Sequence, residues 1–159
     1  MNISNNYYGR SVDIELLKTV QQPSKSEQRV HFSLTYDNKP RIVAGIEKTA
    51  QRYALTFTTL IGSVMFDPGF GSIFIGAVAQ GYLVNYGALV DVFAVANTSV
   101  MDTLRRTTEE LPLDEQLESA DLIDFNLDFV AGTIMLSIKL TSRAGTSTEF
   151  IVPTSIARV

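Results

Sequence analysis

Strict two-residue alternation near both ends of the chain, with a three-to-four-residue apolar rhythm between, predicts an α+β fold. The expected order is N-terminal strands, central helices, and a C-terminal antiparallel sheet made of a β-hairpin plus a third strand. The 159 residues suit a single domain, 1–159, in which 121–152 forms the C-terminal sheet. With 45% hydrophobic and 19% charged residues, the chain can bury a core of its own.

Val12, Ile14 and Leu16 alternate with Asp13 and Glu15, as in a half-buried strand. The polar stretch 21–27, with Pro23, reads as a loop. Val30, Phe32, Leu34 and Tyr36 alternate again and predict a second strand, and residues 37–40 supply a turn and a helix-starting proline. From Arg41 the period changes: Val43, Ile46, Ala50, Tyr53, Phe57 and Leu60 make one apolar helical stripe that Gly62 ends. Lys48 falls on the opposite face, where truncation would cost little. A loop over 63–71 centres on Asp67-Pro68-Gly69, with a positive φ expected at Gly69 or Gly71. Ser72 opens a short helix ending near Gly81, and a longer helix is expected over 88–110 with Leu89, Val92, Phe93, Ala96, Val100 and Leu104 inward.

The last forty residues or so specify the sheet. Ile123, Phe125, Leu127 and Phe129 alternate, and Ile134, Leu136, Ile138 and Leu140 alternate with opposite parity. A hairpin with Ala131-Gly132 at its tip would pair Phe129 with Ile134, Leu127 with Leu136, Phe125 with Ile138 and Ile123 with Leu140. The other face would then pair Asp124 with Lys139 and Asn126 with Ser137. Thr148, Phe150 and Val152 form the third strand, which Pro153 is expected to stop.

Composition removes several classes of chemistry. A net charge of −4 gives no basic footprint for nucleic acid. The absence of cysteine excludes disulfides, thiolate nucleophiles and Cys-ligated metal, and the single His31 excludes a His-rich zinc site. The polar start, 1–10, lacks the pattern of a secretory leader. Between Asp67 and Asp91 no charge occurs, but repeated glycines and Gln80 and Asn85 favour a buried, Gly-broken core segment over a membrane span. Gly69-Phe70-Gly71 with Gly76 has neither the spacing nor the preceding strand of a phosphate cradle. Asp124, Asn126 and Asp128 imitate the start of a calcium loop, yet Phe129 and Met135 stand where glycine and glutamate are required. The acidic run from Glu109 to Asp121 could hold a carboxylate pair, but reads as a solvated connector. No catalytic, metal or cofactor site is expected.

Two stretches resemble a known family. Gly45-Ile46-Glu47-Lys48-Thr49-Ala50-Gln51-Arg52, followed by Thr59-Leu60-Ile61-Gly62-Ser63 and then Asp67-Pro68-Gly69-Phe70-Gly71, resembles the baseplate wedge, or sheath-initiator, family of contractile phage tails, historically labelled "tail lysozyme-like". The hairpin ending Ala144-Gly145…Phe150-Ile151-Val152-Pro153 resembles that family's closing strands in its Mu-like branch. Together the two cover about residues 41–153. Many members carry a Glu-Pro-Arg triplet before the first closing strand; here 113–121 reads Leu-Asp-Glu-Gln-Leu-Glu-Ser-Ala-Asp, without it.

The resemblance implies a non-enzymatic virion component of the tail baseplate, assembled in the host cytoplasm, with no cofactor and no contact with nucleic acid or membrane. Its implied partners are the tail sheath protein and other wedge, hub and tube proteins. The implied function is nucleation of the sheath by strand exchange through the sheet at Ile123, Phe125, Leu127, Ile134, Leu136, Ile138, Lys139, Leu140 and Phe150, with 133–141 only lightly guarded by charge. Gly45, Gln51, Thr59, Gly62, Ser63, Asp67, Pro68 and Gly71 would carry the structural motif. The alternatives are a tail-associated peptidoglycan hydrolase and a baseplate component of a related contractile secretion system.

Overall fold

In the computed structural model, residues 12–14, 17–21, 28–32, 42–128 and 130–155 are described. The chain is α+β: β1 (Asp13–Ile14), β2 (Leu17–Gln21), β3 (Gln28–Phe32) and β4 (Ile42–Val43) precede α1 (Ile46–Thr58), α2 (Phe74–Ala79) and α3 (Tyr86–Thr108), and β5 (Leu117–Asp128), β6 (Thr133–Ser142) and β7 (Ser147–Ser155) close it. Strands β2 and β3 join the C-terminal three in one sheet, in the order β2-β3-β7-β6-β5, with β3 parallel to β7 through Val30↔Phe150 and His31↔Ile151. That union, across most of the chain length, has no signature in local alternation. The expected turn over 37–40 and the second strand beyond Phe32 lie outside the described residues.

The central helix starts later than its periodicity implies. Ile42 and Val43 pair with Ile14 and Asp13 as β4, and Gly45, at φ 61°, is the N-cap of α1. A residue in the left-handed region cannot sit inside an α-helix, so Val43 matches the apolar stripe only by coincidence of spacing. At the other end Thr59 caps α1, Gly62 lies past it, and Leu60 is 45% exposed. Along α1 only Glu47 is exposed; Ala50, Tyr53, Ala54 and Phe57 are buried and so are Lys48, Thr49, Gln51 and Thr56. The helix therefore has neighbours on nearly every side, which corrects the expectation that Lys48 faces water.

Helix α3 contributes Leu89, Phe93, Ala96, Val100, Met101 and Leu104 to the core, and Asn85 caps it by accepting a hydrogen bond from the Ala88 amide at 2.9 Å. From the sheet come Leu117, Leu127, Ile134, Leu136, Ile138, Leu140, Phe150 and Val152.

The hairpin keeps the predicted parity from Phe125 onward but not the predicted register. Leu127 pairs with Ile134, Phe125 with Leu136, Leu122 with Ile138 and Ala120 with Leu140. The last pair is Asp128↔Thr133, so the connection is longer than the two residues expected. Asp128 Oδ1 accepts hydrogen bonds from the Val130 and Ala131 amides at 2.9 and 2.8 Å, and Gly132 takes φ 67°. A register shift between Leu122 and Asp124 then leaves Ile123 outward, 53% exposed, and sets Asp121 rather than Asp124 opposite Lys139. β7 has the expected parity but runs through Pro153 to Ser155, with Met135↔Pro153 as a pair. A proline there must turn its nitrogen away from β6, as in a non-hydrogen-bonded pair, so the ladder continues.

Between α1 and α2 the loop is closed by Ser72. Its amide donates to the Thr59 carbonyl at 2.8 Å, and its hydroxyl donates to the Phe57 carbonyl at 2.6 Å while accepting from the Phe74 amide at 3.1 Å. Gly71 sits at φ 114° against this closure, where an added Cβ would lie 2.7 Å from the Thr59 carbonyl oxygen and 2.8 Å from the Ile61 nitrogen. Gly62, at φ 79°, has open space instead. Gly71→Ala is expected to destabilise the protein by more than the about 1–3 kcal/mol of backbone strain alone, because backbone atoms must move. Gly62→Ala should lose only about 1–2 kcal/mol. Equal urea midpoints for the two variants would contradict this.

Candidate functional site

The residues with chemical potential fall into three places. The first is the junction of α1 with the segment before β5. Lys48 Nζ lies 2.9 Å from Glu115 Oε2, with side-chain exposures of 8% and 1%, and Thr49 Oγ1 donates to the Glu115 carbonyl at 2.9 Å. Among the described residues Glu115 Oε1 is buried without a hydrogen-bond partner. The acidic run is thus no solvated connector at this point, and Leu117, already in β5, is 1% exposed. One carboxylate beside one ammonium is a structural clamp; a glycosidase-type pair needs two carboxylates across an open cleft.

The second place is the motif loop. Gly45 is the N-cap of α1, Gln51 Nε2 donates to the Ile14 carbonyl at 3.0 Å, and Thr59 Oγ1 donates to the Leu55 carbonyl at 2.6 Å. The Ser63 amide donates to the Leu60 carbonyl at 3.1 Å after the Gly62 turn, and Asp67 Oδ1 accepts from the Gly69 amide at 3.2 Å across Pro68. The positive φ belongs to Gly71, not Gly69. All eight motif residues shape backbone. The loop also carries Met65 and Phe66, 89% and 92% exposed, and Tyr82 and Val84 beyond it are exposed as well. The uncharged segment 68–90 is therefore only partly a core segment: Phe74, Ala77, Val78, Leu83 and Leu89 are buried, while one side of it meets solvent. Among the described residues no helix is long and apolar enough to cross a membrane.

The third place is the sheet edge. Ile134, Leu136, Ile138, Leu140 and Phe150 are at most 1% exposed beneath the helices, and Leu127 is buried with them. β6 is paired on both sides, by β5 and β7, so 133–141 is interior to the sheet and presents no free edge. Lys139 is exposed on the outer face. Only Ile123 and Phe125, of the apolar residues implicated from sequence, reach the surface, and both are on the terminal strand β5. They line an open groove of about 510 Å³ between β5 and α3, together with Val90 and Ala94 and the polar Asn97, Asp121 and Asp124. The Tyr86 ring lies 5.5 Å from that of Phe125.

Asn97 ties this edge to the core. It accepts from the Tyr53 hydroxyl at 2.7 Å and donates to the Ala120 carbonyl at 2.9 Å. Burial, and secondarily the charge of Asp121, pushes the Tyr53 phenol well above its usual range, so it stays a donor. Sequence reading missed Asn97, the closure of the loop by Ser72 onto Phe57 and Thr59, and the burial of Glu115, because each involves a partner distant in sequence. Asp124, Asn126 and Asp128 are exposed on β5, and no group of three or more His, Cys, Asp or Glu able to hold a metal occurs among the described residues.

No protein-family model matches the chain, and no curated protein matches it. Among solved structures it is similar to a protein from Geobacter sulfurreducens, provisionally described as a tail lysozyme. That likeness has a TM-score of 0.45 and 16% identity, over 70% of this chain and 91% of the other.

Removing one member of a buried ion pair strands the other without solvation. Lys48→Ala should therefore cost about 3–5 kcal/mol in urea unfolding, and replacing both partners by apolar residues should recover most of it. A loss as small as that of an exposed lysine would refute the buried clamp.

Proposed function

We propose that this protein is a structural component of a contractile phage tail baseplate and that it starts the sheath by accepting a strand at the edge of its sheet. The observation that carries this reading is β5, a terminal strand bordered by a groove of mixed apolar and polar lining, on a sheet that packs one face against its own helices. A strand edge offers ordered backbone donors and acceptors, and a groove beside it reads alternate side chains of whatever pairs there. The motif resemblance at Gly45, Gln51, Thr59, Gly62, Ser63, Asp67, Pro68 and Gly71 supplies the biological setting. The side chains of Ile134, Leu136, Ile138, Leu140 and Phe150 would serve this function indirectly, by holding the sheet flat against the helices.

Ile123 and Val90 are 53% and 43% exposed, so a charge at either spares the core while making the groove hostile to an apolar strand. Tails assembled with Ile123→Asp or Val90→Asp are expected to carry baseplates but no ordered sheath in electron micrographs. Normal sheaths on particles verified to contain either variant would overturn the proposal. The purified protein is also expected to leave murein suspensions as turbid as buffer does; clearing would favour a hydrolase instead.

A further inference from the structure

The edge of β5 is not equally available along its length. Near its start α3 already occupies the backbone: Arg105 Nη2 donates to the Glu118 carbonyl at 2.7 Å, and Asn97 Nδ2 donates to the Ala120 carbonyl at 2.9 Å. An arriving strand would need to displace both, one of them anchored through Tyr53 to the core. Past the shift between Leu122 and Asp124, no side chain of α3 bonds the strand among the described residues, and the groove, which runs along 120–125, reaches it at Ile123, Asp124 and Phe125.

Charge distinguishes the two halves as well. Asp121 is opposite Lys139, and Glu118 Oε2 lies 3.7 Å from Arg143 Nε. Asp124 and Asp128, by contrast, stand opposite Ser137 and Thr133. Asp124 Oδ1 accepts only from the following amide, and Asp128 Oδ1 from the two turn amides, so no cation on β6 offsets either. The open half thus sets Leu122, Ile123 and Phe125 at the groove with Asp124 on its rim, and leaves Asp124 and Asp128 exposed without a facing cation.

We infer that docking is confined to 122–128 and that its occupant is a short strand of another chain in which apolar residues alternate with Lys or Arg. This rests on the strand-addition reading above and adds the segment and the chemistry of its partner. Apolar residues at every second position fill the groove, and the intervening cations stand beside Asp124 and Asp128, where cross-strand opposite charges attract and like charges repel.

The cysteine-free sequence permits a direct test. The variants Asn126→Cys, in the open half, and Glu118→Cys, in the closed half, are equilibrated in a glutathione buffer with the capped peptide Val-Lys-Val-Cys-Val-Lys-Val. Parallel samples receive its Val-Glu-Val-Cys-Val-Glu-Val counterpart and a backbone N-methylated form of the lysine peptide. Capture is read by mass spectrometry against the urea-unfolded variant. At Asn126→Cys the lysine peptide should be captured on the order of tenfold more than the glutamate peptide, with the difference shrinking at high salt. At Glu118→Cys both should stay at the unfolded background. Equal capture of the two peptides at Asn126→Cys overturns the charge preference, and equal enhancement at both positions overturns the confinement to 122–128. Undiminished capture of the N-methylated peptide, or no capture above background anywhere, removes strand addition itself and with it the proposed function.

Discussion

The side chain of Phe57 is where all layers of this structure meet. Its ring lies 4.7 Å from Phe74 of α2, 5.6 Å from Phe93 of α3 and 5.8 Å from Tyr53 of the same helix, and Tyr53 in turn meets Phe150 of β7 edge-on at 6.0 Å. Large aromatic rings bury much area in few residues, so this junction fixes the distance and tilt of three helices over one sheet. The position of α3 follows from it, and from α3 follows the state of β5. Asn97 is one turn past Phe93, and its reach to Ala120 is set by the depth at which Phe93 packs. The core therefore determines which part of the sheet edge is closed.

An open edge is hazardous for any protein, because it can pair with another copy of itself. Here the hazard is handled by two different means. Side chains of α3 cap the first part of β5, while a bulge and exposed aspartates guard the second. Like charges oppose pairing of two such edges, yet the same aspartates favour a strand of opposite charge.

The buried Lys48–Glu115 pair has a comparable role on the other side of α1. Two ions taken out of water gain little net stability, but they tolerate few alternative arrangements. With Thr49 holding the Glu115 carbonyl, the pair fixes how the chain leaves α3 and enters β5. Among the described residues Glu115 Oε1 has no hydrogen-bond partner, so the clamp is not fully satisfied, and apolar replacements of both partners are the natural comparison.

Local pattern determined the fold class, the identity of α1 as the central helix, the inward stripe of α3 and the parity of β6, β7 and the end of β5, but not that of β5 before the shift at Leu122. These depend on periods of 3.6 and 2, which a linear sequence displays directly. Parity is not register: a two-residue offset keeps every apolar side chain on the same face, so alternation alone could not separate Phe125–Ile138 from the actual Phe125–Leu136. That choice was made by the Asp128 turn and the shift at Leu122. The start of α1 was likewise decided by the pairing of β4 with β1 and the left-handed Gly45, which the helical spacing of Val43 conceals. The buried state of Lys48 and Glu115, the closure of half the edge by Asn97 and Arg105, and the parallel entry of β3 beside β7 belong to tertiary structure alone. In each, the partner lies more than ten residues away, where no local period can register it.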